Sequence, residues 1–236
     1  MLSSLCINQN KITHFSFCIV FEKVKEAINP YSNPAEKYDK AADFYHLIMG
    51  VWEIKANTEA IKMADLKPGE IFLDLAAGTG WVFKRLLEKA EGIAVDFSWN
   101  MCRHCKNYGN VIQANALSLP FQDESFDIVF SSFLLDLLPL NKIQIAIAEM
   151  KRVVKKDGRI VAVALSKEGR GIAKAARVLY EIFYDYWPTI GGYRASSRPI
   201  YLQHEIKKAG LKIVENKLTK IPLFQFPVEI CIAQKP

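Results

Sequence analysis

The chain has no apolar stretch long enough to cross a bilayer. The run Phe15 to Phe21 near the start covers seven residues, against the ~20 that a spanning helix needs. Glu22 and Lys23 follow it where a signal peptide wants a small-residue cleavage site, so a cytoplasmic protein is expected. Cysteines are few. Cys6, Cys18, Cys102, Cys105 and Cys231 are odd in number and irregularly spaced, which excludes a disulfide framework and suits a reducing compartment. Cys102 and Cys105 flank His104 in a CxxC, but no second ligand pair follows at zinc-finger spacing. The segment reads as an ordinary helix, and no metal is expected. Neither sign of charge dominates: 31 Lys and Arg stand against 25 Asp and Glu, a net +6. The densest basic run, Lys151-Arg152 and Lys155-Lys156, is interleaved with Val153 and Val154. It reads as the exposed end of a helix, and a nucleic-acid partner is not expected.

Half the residues are apolar and 24% are charged, the balance of an ordinary globular protein. Residues 1–21 form an extension whose folding the sequence leaves open. Residues 22–66 read as a helical cap, broken around Asn29-Pro30 and Asn33-Pro34. Lys67-Pro68-Gly69 is a turn that opens the main domain, 67–236. Strands are predicted at Ile71 to Leu75, Gly92 to Val95, Val111 to Ala114, Phe126 to Ser131 and Ile160 to Leu165. Helices are predicted at Trp81 to Ala90, from an N-cap at Ser98 to Lys106, and at Asn141 to Val154. Lys156-Asp157-Gly158 reads as the turn closing the last of these. Gly171 to Trp187 and Tyr201 to Ala209 are two more helices, the second capped by Gly210. Leu211 to Val214 and Val228 to Ala233 are strands with no helix between them. Strands alternating with helices imply a doubly wound, mostly parallel α/β sheet, and the terminal pair adds an antiparallel edge hairpin.

In such a sheet ligands sit beyond the carboxyl ends of the strands. After the first strand comes Asp74-Leu75-Ala76-Ala77-Gly78-Thr79-Gly80. It lacks the GxGxxG of a dinucleotide site, and no GKS or GKT follows its glycines as in a P-loop. Glycine there still lets the backbone turn and approach a ligand. Asp96, 22 residues after Asp74, ends the second strand, where a carboxylate can accept both hydroxyls of a ribose. Asn115-Ala116 follows the third strand, and its amide can meet an adenine edge, with Phe97 and Leu117 able to flank the ring. An adenosine ligand without phosphates fits best.

LDLAAGTG, the acidic residue in VDFS, QANALSLPFQDESFDIV and LLPLNKIQIAIAEMKRVVKKDGRIVAV together resemble class I S-adenosylmethionine-dependent methyltransferases. Within them the chain is most similar to the branch of menaquinone and ubiquinone C-methyltransferases and related lipid methyltransferases. The resemblance spans roughly residues 36–166 and implies the Rossmann-like methyltransferase fold with S-adenosyl-L-methionine as cofactor. It implies that Ala76, Gly78 and Gly80 pass the methionine part and that Asp74 holds its amino group. Asp96 then takes the ribose, Phe97 the adenine face, and Asn115 with Ala116 the adenine edge. Ser131 and Phe133 lie under the sulfonium, and Tyr38 closes over the cofactor. Relatives commonly carry Asp where this chain has Asn115, which puts the strength of that adenine contact in question.

Methyl transfer from a sulfonium is an in-line displacement that needs alignment and a dry pocket, and a base only if the nucleophile arrives protonated. Asp136 and His46 are the candidates, with His104 and His204 behind them. Near 170–200, a stretch expected to form the substrate pocket, Tyr180, Phe183, Tyr184, Tyr186 and Trp187 crowd one helix, and Arg194 and Arg198 follow. Aromatics can wall a pocket or dip into a membrane surface, and arginine suits a carboxylate or phosphate head group. Tyr184, Arg194 and Arg198 are therefore the substrate candidates, and the acceptor expected is small or amphiphilic, quinol- or lipid-like. A protein that binds the cofactor without turnover, for regulation or assembly, is the other reading.

Overall fold

The computed structural model describes residues 51–169, 171–191, 197–221 and 225–236. Its elements run α1 (Val51–Ala64), β1 (Ile71–Leu75), α2 (Trp81–Leu87), β2 (Glu91–Asp96), α3 (Trp99–Cys105), β3 (Val111–Gln113), β4 (Phe126–Ser132), α4 (Leu140–Val153), β5 (Val154–Leu165), α5 (Ile172–Gly191), α6 (Leu202–Lys208), β6 (Lys212–Lys220) and β7 (Pro227–Gln234). One seven-stranded sheet takes the order β3-β2-β1-β4-β5-β7-β6. The first five strands pair in parallel, and β7 enters antiparallel between β5 and β6. The doubly wound sheet with an antiparallel edge hairpin is thus as the alternation of elements predicts. Strand order reverses between β1 and β4, and there the crevice for a ligand lies.

Apolar side chains fill both faces of the sheet. On one, Ile143, Ile147 and Met150 of α4 and Leu202 and Ile206 of α6 pack on Leu73, Val129, Ala162 and Cys231, all buried. On the other, Ala60 of α1 and Phe83 and Leu86 of α2 meet Phe72, Ile128, Val161 and Ile230. β1 to β2 contact is close enough that a Cβ at Gly92 would stand 2.5 Å from the Phe72 ring, so only glycine fits. The basic run is consumed by structure. Lys151 donates to the carbonyls of Ala209 and Gly210, Arg152 pairs with Glu149 and Asp123, and Lys155 pairs with Asp127.

Two local expectations are corrected. Lys156-Asp157-Gly158 is not a free turn but part of β5, which starts at Val154 and carries a register shift opposite Phe126 and Ile128. A Cβ at Gly158 would meet the Asp127 carbonyl at 2.7 Å, so glycine lets the bulged strand lie against β4. β6 reaches Lys220 rather than Val214. It is the sheet edge, where Glu215, Lys217 and Lys220 keep charges outward and hide the strand from an apolar pattern. No helix joins β3 to β4. The connection is instead tied down by α4: Glu149 accepts from the Leu119 amide at 2.7 Å, and Arg152 donates to the carbonyls of Leu119 and Phe121 at 3.0 and 2.7 Å.

Candidate functional site

β1 is a buried apolar run whose only polar member, Asp74, is 1% exposed. One carboxyl oxygen of Asp74 has no hydrogen-bond partner. Burial first, and then the charge of Asp96, push its pKa up to about 8, with the Phe83 amide of α2 pulling the other way. The loop that follows turns sharply. Ala76 sits at φ 61, Gly78 at φ 57 and Gly80 at φ 89. A left-handed alanine is strained, and such strain gathers at ligand sites. Around Gly78 a Cβ would meet nothing within 4 Å, whereas at Gly80 it would stand 2.9 Å from Cys105 Sγ and from the Tyr108 ring. Gly78 therefore borders open space and Gly80 is pressed against α3.

Asp96, at the end of β2, fastens this loop. Its Oδ2 accepts from the Gly78 amide at 2.8 Å and its Oδ1 from the Ser98 amide at 2.9 Å. Both oxygens are thus oriented by backbone amides at the end of β2, where a carboxylate can also accept from hydroxyl donors. Ser98 in turn caps α3, its Oγ accepting from the Met101 amide. Phe97 projects beside Asp96, 47% exposed. After β3, Asn115 folds into an Asx turn, its Oδ1 accepting from the Leu117 amide at 3.0 Å. That leaves the NH2 of Asn115 as the free half of the amide, next to buried Ala116. At the end of β4, Ser131 is buried with its Oγ unpartnered, and Phe133 is left-handed at φ 51 and buried.

The four loops that end β3, β2, β1 and β4, neighbours in the sheet, thus carry Asn115, Ala116, Asp96, Phe97, Asp74, Ala76, Gly78, Gly80, Ser131 and Phe133 along one edge. A cleft opens there, lined by Asp74 and Ala76 to Thr79, and also by Glu53, Asn57, Trp81, Val82 and Ser132. The sequence did not single out these last five. Glu53 and Asn57 lie on α1, whose place over the β1 loop no local pattern announces. Only their four-residue spacing, which aligns them on one helix face, was there to be read.

The chemistry of this edge is distinctive. A buried carboxyl with an unpartnered oxygen asks for a cation, and a carboxylate at a strand end next to an exposed aromatic ring suits a diol beside a flat ring. No loop here wraps a phosphate. The residues present fit an adenosine sulfonium.

Other expected residues fall elsewhere. Tyr38, His46 and Arg194, and the side chain of Tyr184, lie outside the described residues. Asp136 is fully buried rather than turned toward a substrate. Its Oδ2 accepts from the Leu165 amide at 3.3 Å, and its backbone carbonyl accepts from the Arg198 amide at 2.9 Å. Burial pushes its pKa up to about 7. Arg198 donates to the Leu138 carbonyl at 2.6 Å, so its side chain is engaged with the connection from β4 to α4, and Tyr180 of α5 donates to the Ser197 carbonyl. His204 is exposed on α6. Cys102 and Cys105 are buried in α3, where burial raises the Cys105 thiol.

A methyltransferase-domain family matches residues 73–162, from β1 to β5. The ubiquinone/menaquinone biosynthesis C-methyltransferase UbiE of Haemophilus ducreyi is 32% identical over 200 residues, covering 78% of this chain and 74% of that protein. Its counterpart in Cupriavidus necator is 29% identical over 212 residues, covering 80% of each. Among solved structures, an S-adenosylmethionine-dependent methyltransferase of Thermotoga maritima superposes with a TM-score of 0.63 over 84% of this chain and 98% of that one, at 18% identity. In the described residues no helix is long and apolar enough to cross a membrane. Together with the 32% identity to a C-methyltransferase over most of both chains, the site and fold place this chain in the class I S-adenosylmethionine-dependent methyltransferases, in the UbiE branch, with S-adenosylmethionine as its cofactor.

Proposed function

We propose that this enzyme methylates a ring carbon of an amphiphilic, quinol-type acceptor. The cofactor half of the reading is carried by one observation: the buried Asp74 carboxyl, with an oxygen left unpartnered, faces the cleft at the switch point of the sheet. Asp74 takes the cofactor's ammonium group. Asp96 accepts from the ribose hydroxyls, while the amides of Gly78 and Ser98 hold it in place. Phe97 covers one face of the adenine, and the Asn115 NH2 and Ala116 meet its edge. Ala76, Gly78 and Gly80 let the backbone pass close to the methionyl chain, and Tyr38 closes over it. Ser131 and Phe133 form the floor beneath the sulfonium, which when bound supplies an electrophilic methyl group.

The acceptor half rests on the names of the relatives, both C-methyltransferases of quinone biosynthesis, and on the aromatic crowding of the α5 sequence. Tyr184 and Arg194 are assigned to the acceptor. Arg198, whose guanidinium is engaged with the Leu138 carbonyl, serves it indirectly. No general base is assigned, because Asp136 is fully buried and its carboxyl accepts from the Leu165 amide of β5. A quinol ring is already rich enough in electrons at carbon to attack once aligned and kept dry. The test is turnover with labelled S-adenosylmethionine against a prenylated demethyl-quinol, a phospholipid amine and a small amine, with product mapping. Carbon methylation of the quinol is expected. Methyl transfer to nitrogen, or none to the quinol, overturns the acceptor reading while leaving the cofactor site standing.

A further inference from the structure

The cofactor's methionyl end carries a carboxylate as well as an ammonium group, and three amides of the glycine loop are already engaged within the chain. The Ala77 amide donates to the Val95 carbonyl, the Gly78 amide to Asp96, and the Gly80 amide to the Ala77 carbonyl. The Phe83 amide of α2 goes to Asp74. Among the described residues lining the cleft there is no lysine and no arginine; its ionisable members are Glu53 and Asp74, both acids. An anion entering beside two carboxyl groups needs a neutral donor.

Asn57 is that donor. It stands on α1, 5% exposed, and lines the same cleft as Asp74. Its Oδ1 accepts from Ser132 Oγ at 2.5 Å, which fixes the amide and leaves its NH2 as the donating end. Ser132 is the last residue of β4, next to Ser131 and Phe133. We infer that Asn57 binds the methionyl carboxylate of S-adenosylmethionine, and that Ser132 holds Asn57 in the orientation to do so. α1 is then part of the cofactor site, and the Asn57–Ser132 hydrogen bond links the methionyl end to the β4 loop under the transferring methyl. The neutral amide also explains how the pocket stays selective for a zwitterion. Asp74 reads the ammonium and Asn57 the carboxylate, one carbon away.

This rests on the cofactor reading above, and the experiment separates the two. Binding of S-adenosylmethionine and of its decarboxylated analogue is measured by calorimetry for the wild type, Asn57→Ala, Asn57→Asp and Ser132→Ala, with each fold checked by thermal melting. A hydrogen bond to a charged group is worth ~1.5–3 kcal/mol, a factor of ~10–100 in affinity. Asn57→Ala is expected to weaken S-adenosylmethionine by about that factor, and Asn57→Asp by more, since it opposes two carboxylates. Ser132→Ala is expected to weaken it less. Asn57→Ala and Ser132→Ala should bind the decarboxylated analogue as the wild type does, within about twofold, whereas Asn57→Asp should bind that cation at least as well as the wild type does. If Asn57→Ala weakens both ligands equally, or neither, Asn57 does not hold the carboxylate. A wild type that binds neither ligand overturns the cofactor reading itself. If Asn57→Ala unfolds, Ser132→Ala still decides, because its selective loss is required and its indifference sinks the link.

Discussion

Replacing Asp74 by asparagine is expected to make the ligand-free protein more stable at alkaline pH and to cripple cofactor binding. The carboxyl is 1% exposed and one oxygen is unpartnered. Its ordinary value of 3.8 is raised to about 8 in the folded chain, first by burial and then by Asp96. The sign follows. Below pH ~4 the group is protonated in both folded and unfolded chains and contributes nothing. As pH rises through the interval to about 8, the unfolded chain loses its proton while the folded one keeps it, so stability falls, and above pH ~8 the loss levels off. Each pH unit of the interval is worth ~1.4 kcal/mol, which sets a ceiling of ~6 kcal/mol by pH 9. Side chains relaxing around the charge cut that to ~3 kcal/mol, or ~6–12 °C in Tm for a chain of this length.

The asparagine side chain keeps the shape and the acceptor for the Phe83 amide but has no charge to expose. Thermal unfolding from pH 5 to 9, without ligand, therefore gives a falling curve for the wild type and a flatter one for Asp74→Asn, the two separating above pH ~6. Calorimetry then gives the other half. Losing one partner of a buried ion pair costs ~3–5 kcal/mol, so S-adenosylmethionine binding weakens by ~100-fold or more. Below pH ~8 the wild type releases a proton on binding, because the ammonium group requires the carboxylate. Its affinity rises with pH up to that point, and the buffer-dependent heat that reports the proton is absent in Asp74→Asn. A variant no more stable than wild type at pH 9, or one that binds the cofactor undiminished, refutes the assignment of Asp74 as the buried receptor for a cation.

Two further substitutions test neighbouring groups. Asp96→Ala strands the amides of Gly78 and Ser98, which Asp96 accepts at 2.8 and 2.9 Å. It is expected to lower stability by ~2–4 kcal/mol in denaturant melts and to abolish measurable cofactor binding; a wild-type Kd would remove Asp96 from the site. Asp136→Asn takes away a fully buried carboxyl raised from 3.8 to about 7 by burial. It is expected to keep kcat within about twofold and to gain stability over the wild type as pH rises from ~5 to 8, so a collapse of kcat in a folded variant would restore Asp136 as a base.

The parallel strands were legible because burial on both faces writes them as short apolar runs closed by a polar residue, as in Ile71 to Asp74 and Glu91 to Asp96. Edge strand β6 was only half legible. It is held by backbone pairing to β7, which leaves side chains such as Glu215 and Lys217 free to be polar. Contacts far apart in sequence were not legible at all. Nothing near Asp136 says that its carboxyl will be sealed by the Leu165 amide, 29 positions on. Nothing near Asn57 says that it will meet Ser132, 75 positions on. The glycine loop and Asp96 could be paired because both follow strands in a regular repeat; α1 stands outside that repeat, so its share of the cleft stayed hidden.

The folded chain marks the same site without reference to any motif. A sequence that specifies one structure usually satisfies its local rules, and the exceptions collect where function needs them. Here two kinds of exception meet at two adjacent strand ends. Next to last in β1 is Asp74, a buried acid with an unpartnered oxygen, and Ala76 just beyond the strand is left-handed. Next to last in β4 is Ser131, a buried hydroxyl with no partner, and Phe133 just beyond the strand is left-handed. β1 and β4 pair directly, with Leu75 opposite Ser131. Each unpaired polar group costs stability in the ligand-free chain, and a strained backbone beside each adds to that cost. Such costs persist where a bound molecule repays them, so the strand pair at which they coincide is where the methyl donor is held.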